Sequence, residues 1–206
     1  MQIMPVLLTG ALMLSVGIYV GRVVGSNEIV AKVLAERHSG YNFDANKVVT
    51  QDQLQFILKA AQQAPSSYND QPWNYIVCDK LTNPVAYEKA FSALVPFNQK
   101  WAINAQILIL CIAATNSHQG QFNQWAQYDT GAATCSMAIQ AAALGLMTHQ
   151  MGGFDGDQLR QLFAIPQDCL PISVMAIGYD ADRKAKVKER KPLSVNFFNG
   201  AWGNGY

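Results

Sequence analysis

The sequence predicts an α+β fold, and two kinds of segment support it. Residues 105–114 and 172–179 are apolar runs with the length and composition of strands buried on both faces of a sheet. The segments around them show helical spacing of apolar residues and recognisable helix starts. We therefore expect a central sheet flanked by helices, with residues 1–25 as a hydrophobic N-terminal segment and residues 26–206 as one folded domain.

The composition excludes several classes of protein. The 206 residues include 15 basic and 14 acidic side chains, half of all residues are hydrophobic, and 14% are charged. Intrinsic disorder needs lower hydrophobicity and higher net charge, and nucleic-acid binding needs a basic excess to displace counterions from phosphates. The 4 cysteines and 3 histidines show neither CxxC nor HExxH spacing. We therefore predict no metal site, no nucleic-acid partner, and four buried free thiols in a cytoplasmic protein.

The N-terminal segment has three interpretations. Residues 3–21 form an uncharged run, and a helix of that length would just cross a bilayer core of ~30 Å. The basic residues after it, from Arg22 onwards, favour a membrane anchor with the folded domain on the cytoplasmic side. A cleaved signal would need positive charge before the run. A helix that is buried or covers a dimer interface is the third interpretation, because Pro, Gly, Ser and Thr dilute the apolarity of the run.

The first elements of the domain are helices and one short strand. Ser26 is a candidate N-cap for a helix that ends before Gly40. Thr50 and Gln53 form a capping box for a second helix, which ends before Pro65. A short strand over residues 75–78 and a helix around residues 85–94 are expected next.

The later elements surround a helix made largely of small residues. Residues 130–146 carry such residues on nearly every side, so this helix is expected to pack closely at the centre of a domain or a dimer. A loop at Gly152 and Gly153 follows, then a short helix over residues 158–163. After the second buried strand comes a basic segment, residues 183–191.

Two basic clusters are candidate phosphate ligands. Arg37, His38 and Ser39 lie in sequence at the end of the first helix, and Lys188 and Arg190 lie near the C-terminus. Guanidinium, imidazole, ammonium and hydroxyl groups are all good donors to a phosphate. Taken alone, each cluster also fits a solvated helix end or a solvated surface run.

Two loops suit a flat heteroaromatic ligand. The first, residues 65–73, concentrates hydroxyl and amide groups beside Trp73, and amides can both donate to and accept from the edge of such a ring. In the second, the paired Gly152 and Gly153 allow close approach of the backbone. Ordinary turns remain the alternative for both. The sequence has no GxGxxG, GxxxxGK[ST] or GxSxG motif, so dinucleotide-binding, P-loop and α/β-hydrolase folds lack support.

Taken in order, these motifs resemble those of the FMN-dependent nitroreductase family over residues 27–202. The motifs are Arg-His-Ser at 37–39, Pro-Ser-Ser-Tyr-Asn-Asp-Gln-Pro-Trp at 65–73, Asp-Thr-Gly-Ala at 129–132, Gly-Gly-Phe-Asp at 152–155, Ile-Pro at 165–166, Ala-Ile-Gly-Tyr at 176–179 and Lys-Glu-Arg-Lys-Pro at 188–192. The resemblance implies a nitroreductase-like fold with a central mixed sheet, an intertwined homodimer and two FMN sites at its interface. It also implies ping-pong electron transfer from NADH or NADPH, through FMN, to a small-molecule acceptor such as a nitroaromatic, a quinone or an activated alkene.

The resemblance also implies a set of FMN-binding residues. The phosphate side comprises Arg37, His38, Ser39, Lys188 and Arg190; the segment reaching the flavin from the partner subunit comprises Pro65, Ser66, Ser67 and Asn69, with Gln71 just beyond; Asn98 lies at the pyrimidine edge; and Met151, Gly152 and Gly153 lie near N5. Two positions depart from the family pattern. Tyr41 replaces a basic residue found in many members, and Gly152 replaces a glutamate found in some.

Two alternatives from other functional classes stay open at this point. A protein of the same fold could bind flavin without reductase turnover, which the departures at Tyr41 and Gly152 allow. A membrane-associated binding protein is the other, on the basis of residues 3–21. Turnover of an acceptor with NADH or NADPH separates the first from a reductase, and a flavin-free dimer that stays on the membrane would favour the second.

Overall fold

A four-stranded sheet lies between two layers of helices. The structure is a computed structural model that describes residues 30–182 and 188–206. The strands are β1 (Trp73–Asp79), β2 (Ile107–Ala114), β3 (Met147–Met151) and β4 (Cys169–Gly178), in the sheet order β1-β2-β4-β3. The helices are α1 (Lys32–Glu36), α2 (Gln51–Gln62), α3 (Pro84–Ser92), α4 (Pro96–Ala102), α5 (Ala126–Ala143), α6 (Gly156–Phe163) and α7 (Leu193–Asn196).

Strand β2 divides the hydrophobic core in two. Its residues are buried from Ile107 to Ala113, as predicted from the apolar run. Side chains alternate across a strand, so Ile107, Ile109 and Cys111 join a cluster with α2 and α5. Leu108, Leu110 and Ile112 join the opposite cluster, which contains residues of α3, α4 and α6. The sheet is therefore covered on both faces.

The sheet differs from the expected mixed sheet, because all three strand pairings are antiparallel. After Asp79 the chain forms α3 and α4 and returns to the same end of the sheet, where Ile107 pairs with Asp79. The hydrophobic pattern revealed that β2 and β4 were buried but carried no information on their direction. The α+β class is confirmed.

Local helix signals predicted α2 well. The Thr50 hydroxyl accepts a hydrogen bond from the Gln53 N–H at 3.2 Å, and the Gln53 side chain accepts one from the Thr50 N–H at 3.0 Å. Helix α5 begins and ends a few residues before the predicted 130–146. Helix α4 and strand β3 were not predicted, and β3 ends just before the predicted loop at Gly152 and Gly153.

The predicted N-terminal features lie outside the described residues. They are the hydrophobic segment over residues 1–25, including the run over 3–21, and the helix start at Ser26. Among residues 30–182 and 188–206, no helix has both the length and the apolarity needed to cross a membrane.

All four cysteines are free thiols, and they fall into two groups. Cys78 in β1 and Cys111 in β2 are fully buried. Burial raises the pKa of Cys78 to about 12 and that of Cys111 to about 11. Cys169 is half-buried, and Cys135 is exposed on α5, contrary to the expectation that every cysteine is buried.

Candidate functional site

One cavity brings together residues from both ends of the domain. Helix α1 ends at Glu36, and the backbone of Arg37 after it is extended, so the chain turns away from the helix into residues 38–42. There a cavity of about 280 Å³ is lined by His38, Ser39, Gly40, Tyr41, Asn42, Asp180, Asp182 and Lys188. Three of the predicted phosphate-side residues, namely His38, Ser39 and Lys188, therefore border one space.

The polar groups of this cavity are partly paired with one another. The His38 ring contacts Asp180 through Nε2 at 3.0 Å and the carbonyl of Glu36 through Nδ1 at 3.1 Å. Asp182 accepts a hydrogen bond from the Asn42 side chain at 2.7 Å. Because both nitrogens of His38 are engaged, the Lys188 ammonium and the Ser39 hydroxyl are the better donors for an anion here.

The two predicted arginines lie elsewhere. Arg37 lines a second cavity of about 390 Å³, together with Lys47, Tyr179 and Asp180. Asp180 borders both cavities, so it lines one together with Arg37 and the other together with Lys188. Arg190 is exposed. The structure thus brings Ser39 and Lys188 together but does not bring either arginine into their cavity.

An aromatic cluster adjoins the loop at Gly40. The ring centroids of Tyr41 and Trp101 are 5.3 Å apart, and those of Trp101 and His149 are 4.5 Å apart. His149 Nδ1 lies 3.0 Å from the Gly40 carbonyl oxygen. Burial lowers the pKa of His149, and the charge of Lys188 lowers it further, although the bond to Gly40 opposes both. The neutral imidazole is therefore favoured beside this cavity.

Two predicted ring-binding segments are in direct contact. The Asn98 side-chain amide donates to the Gly153 carbonyl at 3.0 Å, and the Val95 N–H donates to the same oxygen at 3.1 Å. Asn98 is buried in α4, while Gly153 follows β3. A Cβ at Gly153 would lie 2.8 Å from the Val95 side chain and 2.9 Å from Asn98 Nδ2. Only glycine permits this approach without displacing a neighbour.

The loop over residues 66–71 is held in a strained conformation. Tyr68, Asn69 and Gln71 have φ values of +52°, +55° and +50°, which non-glycine residues rarely adopt. Such strain persists where surrounding contacts enforce it, and it is frequent at functional sites. Here the buried Asp129 accepts from the Ser67 N–H at 2.9 Å, and Ser66 Oγ accepts from the Gln71 N–H at 3.1 Å.

Asp70 joins this loop to a distant one. Its carboxylate accepts from the backbone N–H of His118 at 3.0 Å and from Asn123 Nδ2 at 2.7 Å, and it also contacts His118 Nδ1. These hydrogen bonds, the backbone bond from His118 first, hold the pKa of Asp70 below its usual value. The two loops enclose a cavity of about 710 Å³. No local signal predicted this contact, since Asp70 and His118 are 48 residues apart.

The two groups of candidate residues lie at opposite ends of the sheet. The loop over residues 66–71 leads into β1 at Trp73, which pairs with Ala113. Asp180 follows β4, whose Ile177 pairs with Ile107 at the other end. Strand β1 runs about 20 Å between these ends, at ~3.3 Å per residue. One chain therefore does not bring the loop over residues 66–71 to the cavity at Ser39 and Lys188.

Comparison with known proteins identifies the family of the chain. The sequence profile described as "Nitroreductase family" matches residues 34–179. The chain belongs to the nitroreductase family. An oxygen-insensitive NADPH nitroreductase of Helicobacter pylori is 27% identical over 78% of this chain and 79% of its own length. An FMN reductase [NAD(P)H] of Bacillus subtilis is 30% identical over 82% of this chain and 73% of its own length.

A solved structure confirms the fold of this nitroreductase family member. A crystal structure described as an oxidoreductase containing FMN is 30% identical, covers 86% of this chain and 95% of its own, and superposes with a TM-score of 0.78. The family and fold predicted from the ordered motifs are thereby confirmed. The names of these relatives include FMN, NADPH and NAD(P)H, which are the expected cofactor and electron donors.

The glycine contact at Asn98 can be tested by substitution. Gly153→Ala should lower the free energy of unfolding by about 1–3 kcal/mol, because the new Cβ overpacks against Val95 and Asn98. Gly152→Ala is the matched control, since nothing lies within 4 Å of its Cβ position. Chemical denaturation of the three proteins measures the difference. Equal losses for the two variants would contradict the close contact at Gly153.

Proposed function

We propose that this chain is an FMN-dependent oxidoreductase that passes electrons from NADH or NADPH to a small organic acceptor. The observation that carries the proposal is the contact between Asn98 and Gly153. These residues come from separate segments, and both correspond to positions that border the flavin ring in the family. The nearby cavity at Ser39 and Lys188 supplies the phosphate side. The names of the relatives support the same cofactor.

The chemistry of these residues fits FMN. Lys188 supplies a positive charge and Ser39 a hydroxyl donor at one end, and the Asn98 amide lies at the other. The missing Cβ at Gly153 allows Val95 and the Asn98 amide to lie close to this backbone. When bound, FMN supplies the hydride chemistry, and the protein orients it and sets its electrostatic environment. Met151 is buried, while Gly152 is exposed, so the backbone at Gly152 is the part of this segment that a ligand can reach.

The remaining predicted residues would reach the flavin from a second subunit. Within one chain, Pro65, Ser66, Ser67, Asn69 and Gln71 lie at the end of the sheet opposite the Lys188 cavity. One chain holds these two groups about 20 Å apart along the sheet, so a second chain that places its own loop over residues 66–71 beside the flavin would complete the site. We therefore propose a homodimer with two shared sites, as in the expected intertwined arrangement.

Exposed apolar surface supports this dimer. The outer face of α5 presents Tyr128, Gly131 and Cys135, which lie one helical turn apart and are all exposed. The C-terminal segment is also exposed, with Leu193 at 57%, Phe197 at 56% and Trp202 at 92%. Contiguous exposed apolar surface marks interaction sites. A partner subunit would cover both regions.

The enzymatic proposal is tested by anaerobic titration. Purified protein loaded with FMN should lose its oxidised flavin absorbance on addition of NADH or NADPH and regain it on addition of a quinone or nitroarene. Protein that binds no FMN would contradict the proposal outright. Protein that binds FMN but is reduced by neither nucleotide would indicate the alternative, a flavin-binding protein without reductase turnover.

The phosphate side is tested with two flavins. Lys188→Ala should weaken FMN binding about tenfold or more, because a charge-assisted hydrogen bond contributes ~1.5–3 kcal/mol. Riboflavin has no phosphate, so its affinity should not change. Lys59→Ala, in the last turn of α2, is the control for loss of one exposed lysine. Fluorescence titration gives all the affinities. Equal weakening of FMN and riboflavin binding in Lys188→Ala would show that Lys188 does not contact the phosphate.

The dimer is tested at the exposed face of α5. No atom lies within 4 Å of a Cβ built at Gly131, so Gly131→Arg should leave the monomer folded. A large charged side chain would block a close helix contact there, and sedimentation should show a monomer with much weakened FMN binding. Gln55→Arg places the same side chain on the exposed surface of α2 and should leave a dimer. A stable Gly131→Arg dimer would place the interface elsewhere.

A further inference from the structure

A cavity between two loops carries a histidine–carboxylate pair. The cavity, of about 710 Å³, is lined by residues of the loops 67–70 and 117–125. The side chain of Asp70 is only 5% exposed and receives hydrogen bonds on both oxygens, whereas the side chain of His118 is 62% exposed. The pair thus has a buried, fixed carboxylate and an accessible imidazole.

The carboxylate determines which ring nitrogen exchanges protons. With its pKa lowered, Asp70 is ionised at neutral pH and can only accept hydrogen bonds. His118 Nδ1, which contacts Asp70, must therefore carry a hydrogen in both charge states of the ring. Nε2 lies on the other side of the imidazole, and among the described residues it has no hydrogen-bond partner in the structure. Proton uptake and release thus take place at Nε2.

The rest of the cavity suits a flat organic molecule. Tyr68, Phe122 and Trp125 also line it, and their exposed fractions are 97%, 77% and 50%. Three exposed aromatic rings around one space can cover an aromatic or conjugated molecule on its faces. The titratable groups among the lining residues are Asp70, His118 and the Tyr68 phenol. Histidine is the side chain best suited to exchange protons near neutral pH.

We propose that His118 is the proton donor to the electron acceptor, with Asp70 as the positioning residue. The inference rests on the proposed function, because it requires that the loop over residues 66–71 reach a flavin in the partner subunit. This cavity would then lie against that flavin. The acceptor would stack between the aromatic side chains and the flavin, within reach of His118 Nε2.

The proposed reduction of an activated alkene adds one hydride and one proton across its double bond. Bound anionic reduced flavin would supply a hydride, with two electrons, to the β-carbon of the carbonyl-conjugated double bond, which leaves neutral oxidised flavin. The N–H bond at Nε2 of the His118 imidazolium breaks, and its proton forms the new bond at the α-carbon. The acceptor is reduced, the flavin is oxidised, and His118 becomes neutral while Nδ1 continues to donate to Asp70. Water then returns the proton to Nε2. A quinone takes its second proton on oxygen in the same way.

The test compares acceptors that need a proton with one that does not. His118→Gln keeps an amide that can donate to Asp70 but cannot deliver a proton. Stopped-flow oxidation of the reduced variant by a quinone or enone should be about a hundredfold slower than in the wild type, the usual scale of general acid catalysis. Oxidation by ferricyanide, which takes electrons alone, should proceed at the wild-type rate. Asp70→Asn should give a smaller loss with the quinone.

The same experiment separates this inference from the proposed function. The FMN affinity of the variant and its reduction by NADH or NADPH should match the wild type. If the wild type binds no flavin or is not reduced, the proposed function fails. If reduction is normal and His118→Gln is reoxidised by the quinone at the wild-type rate, His118 is not the donor. Equal slowing with ferricyanide would also overturn the inference, because it would indicate a displaced flavin or loop.

A chemical label gives a readout that does not depend on turnover. Diethyl pyrocarbonate modifies accessible imidazole nitrogens, and peptide mass spectrometry would follow His118, with the half-buried His38 and His149 for comparison. A saturating nitroarene added to the oxidised protein should slow modification of His118 severalfold and leave the other two unchanged. His118 labelling that the nitroarene does not slow would place the acceptor elsewhere and overturn the proposal.

Discussion

The burial of β2 on both faces is the constraint on which the rest of the structure depends. Apolar burial contributes about 25 cal/mol per Å², so a strand with helices on both sides stabilises the fold most when both of its faces are apolar. Its residues from Ile107 to Ala113 satisfy that condition. Acidic and basic side chains are consequently absent from β2 and β4 in the middle of the sheet. They collect in the loops at its two ends, and those loops hold Lys188 on one side and Asp70 on the other.

The elements that sequence reasoning predicted are those with local causes. The Thr50–Gln53 capping box depends on residues three apart, and the buried strands depend on uninterrupted apolar runs. Strand β3, Met147–Met151, has the sequence MTHQM, which lacks both clear alternation and enrichment in β-branched residues. It is a strand because β4 offers a free edge beside it. Helix α4 spans seven residues, too short for periodicity to reveal it.

The site shows the same division between local and distant causes. The family resemblance predicts that Asn98 and Gly153 both border the flavin ring, and in the structure these two residues are in contact. The sequence could not show that Arg37 lines a different cavity from Lys188, since that depends on where Asp180 lies after β4. Nor could it pair Asp70 with His118, because two loops 48 residues apart meet only after β1 and β2 have paired. Tertiary contacts, rather than residue types, select the partners.

The two buried thiols, Cys78 and Cys111, can report on transient opening of the sheet. Cys78 and Cys111 have no exposed surface, and burial raises both pKa values well above neutrality. Only the thiolate reacts with alkylating reagents, so both sulfurs are inert while the sheet is closed. Each alkylation of Cys78 or Cys111 therefore records one separation of β1 and β2 from their helices. The labelling rate measures how often the domain opens, with no cysteine introduced by mutation.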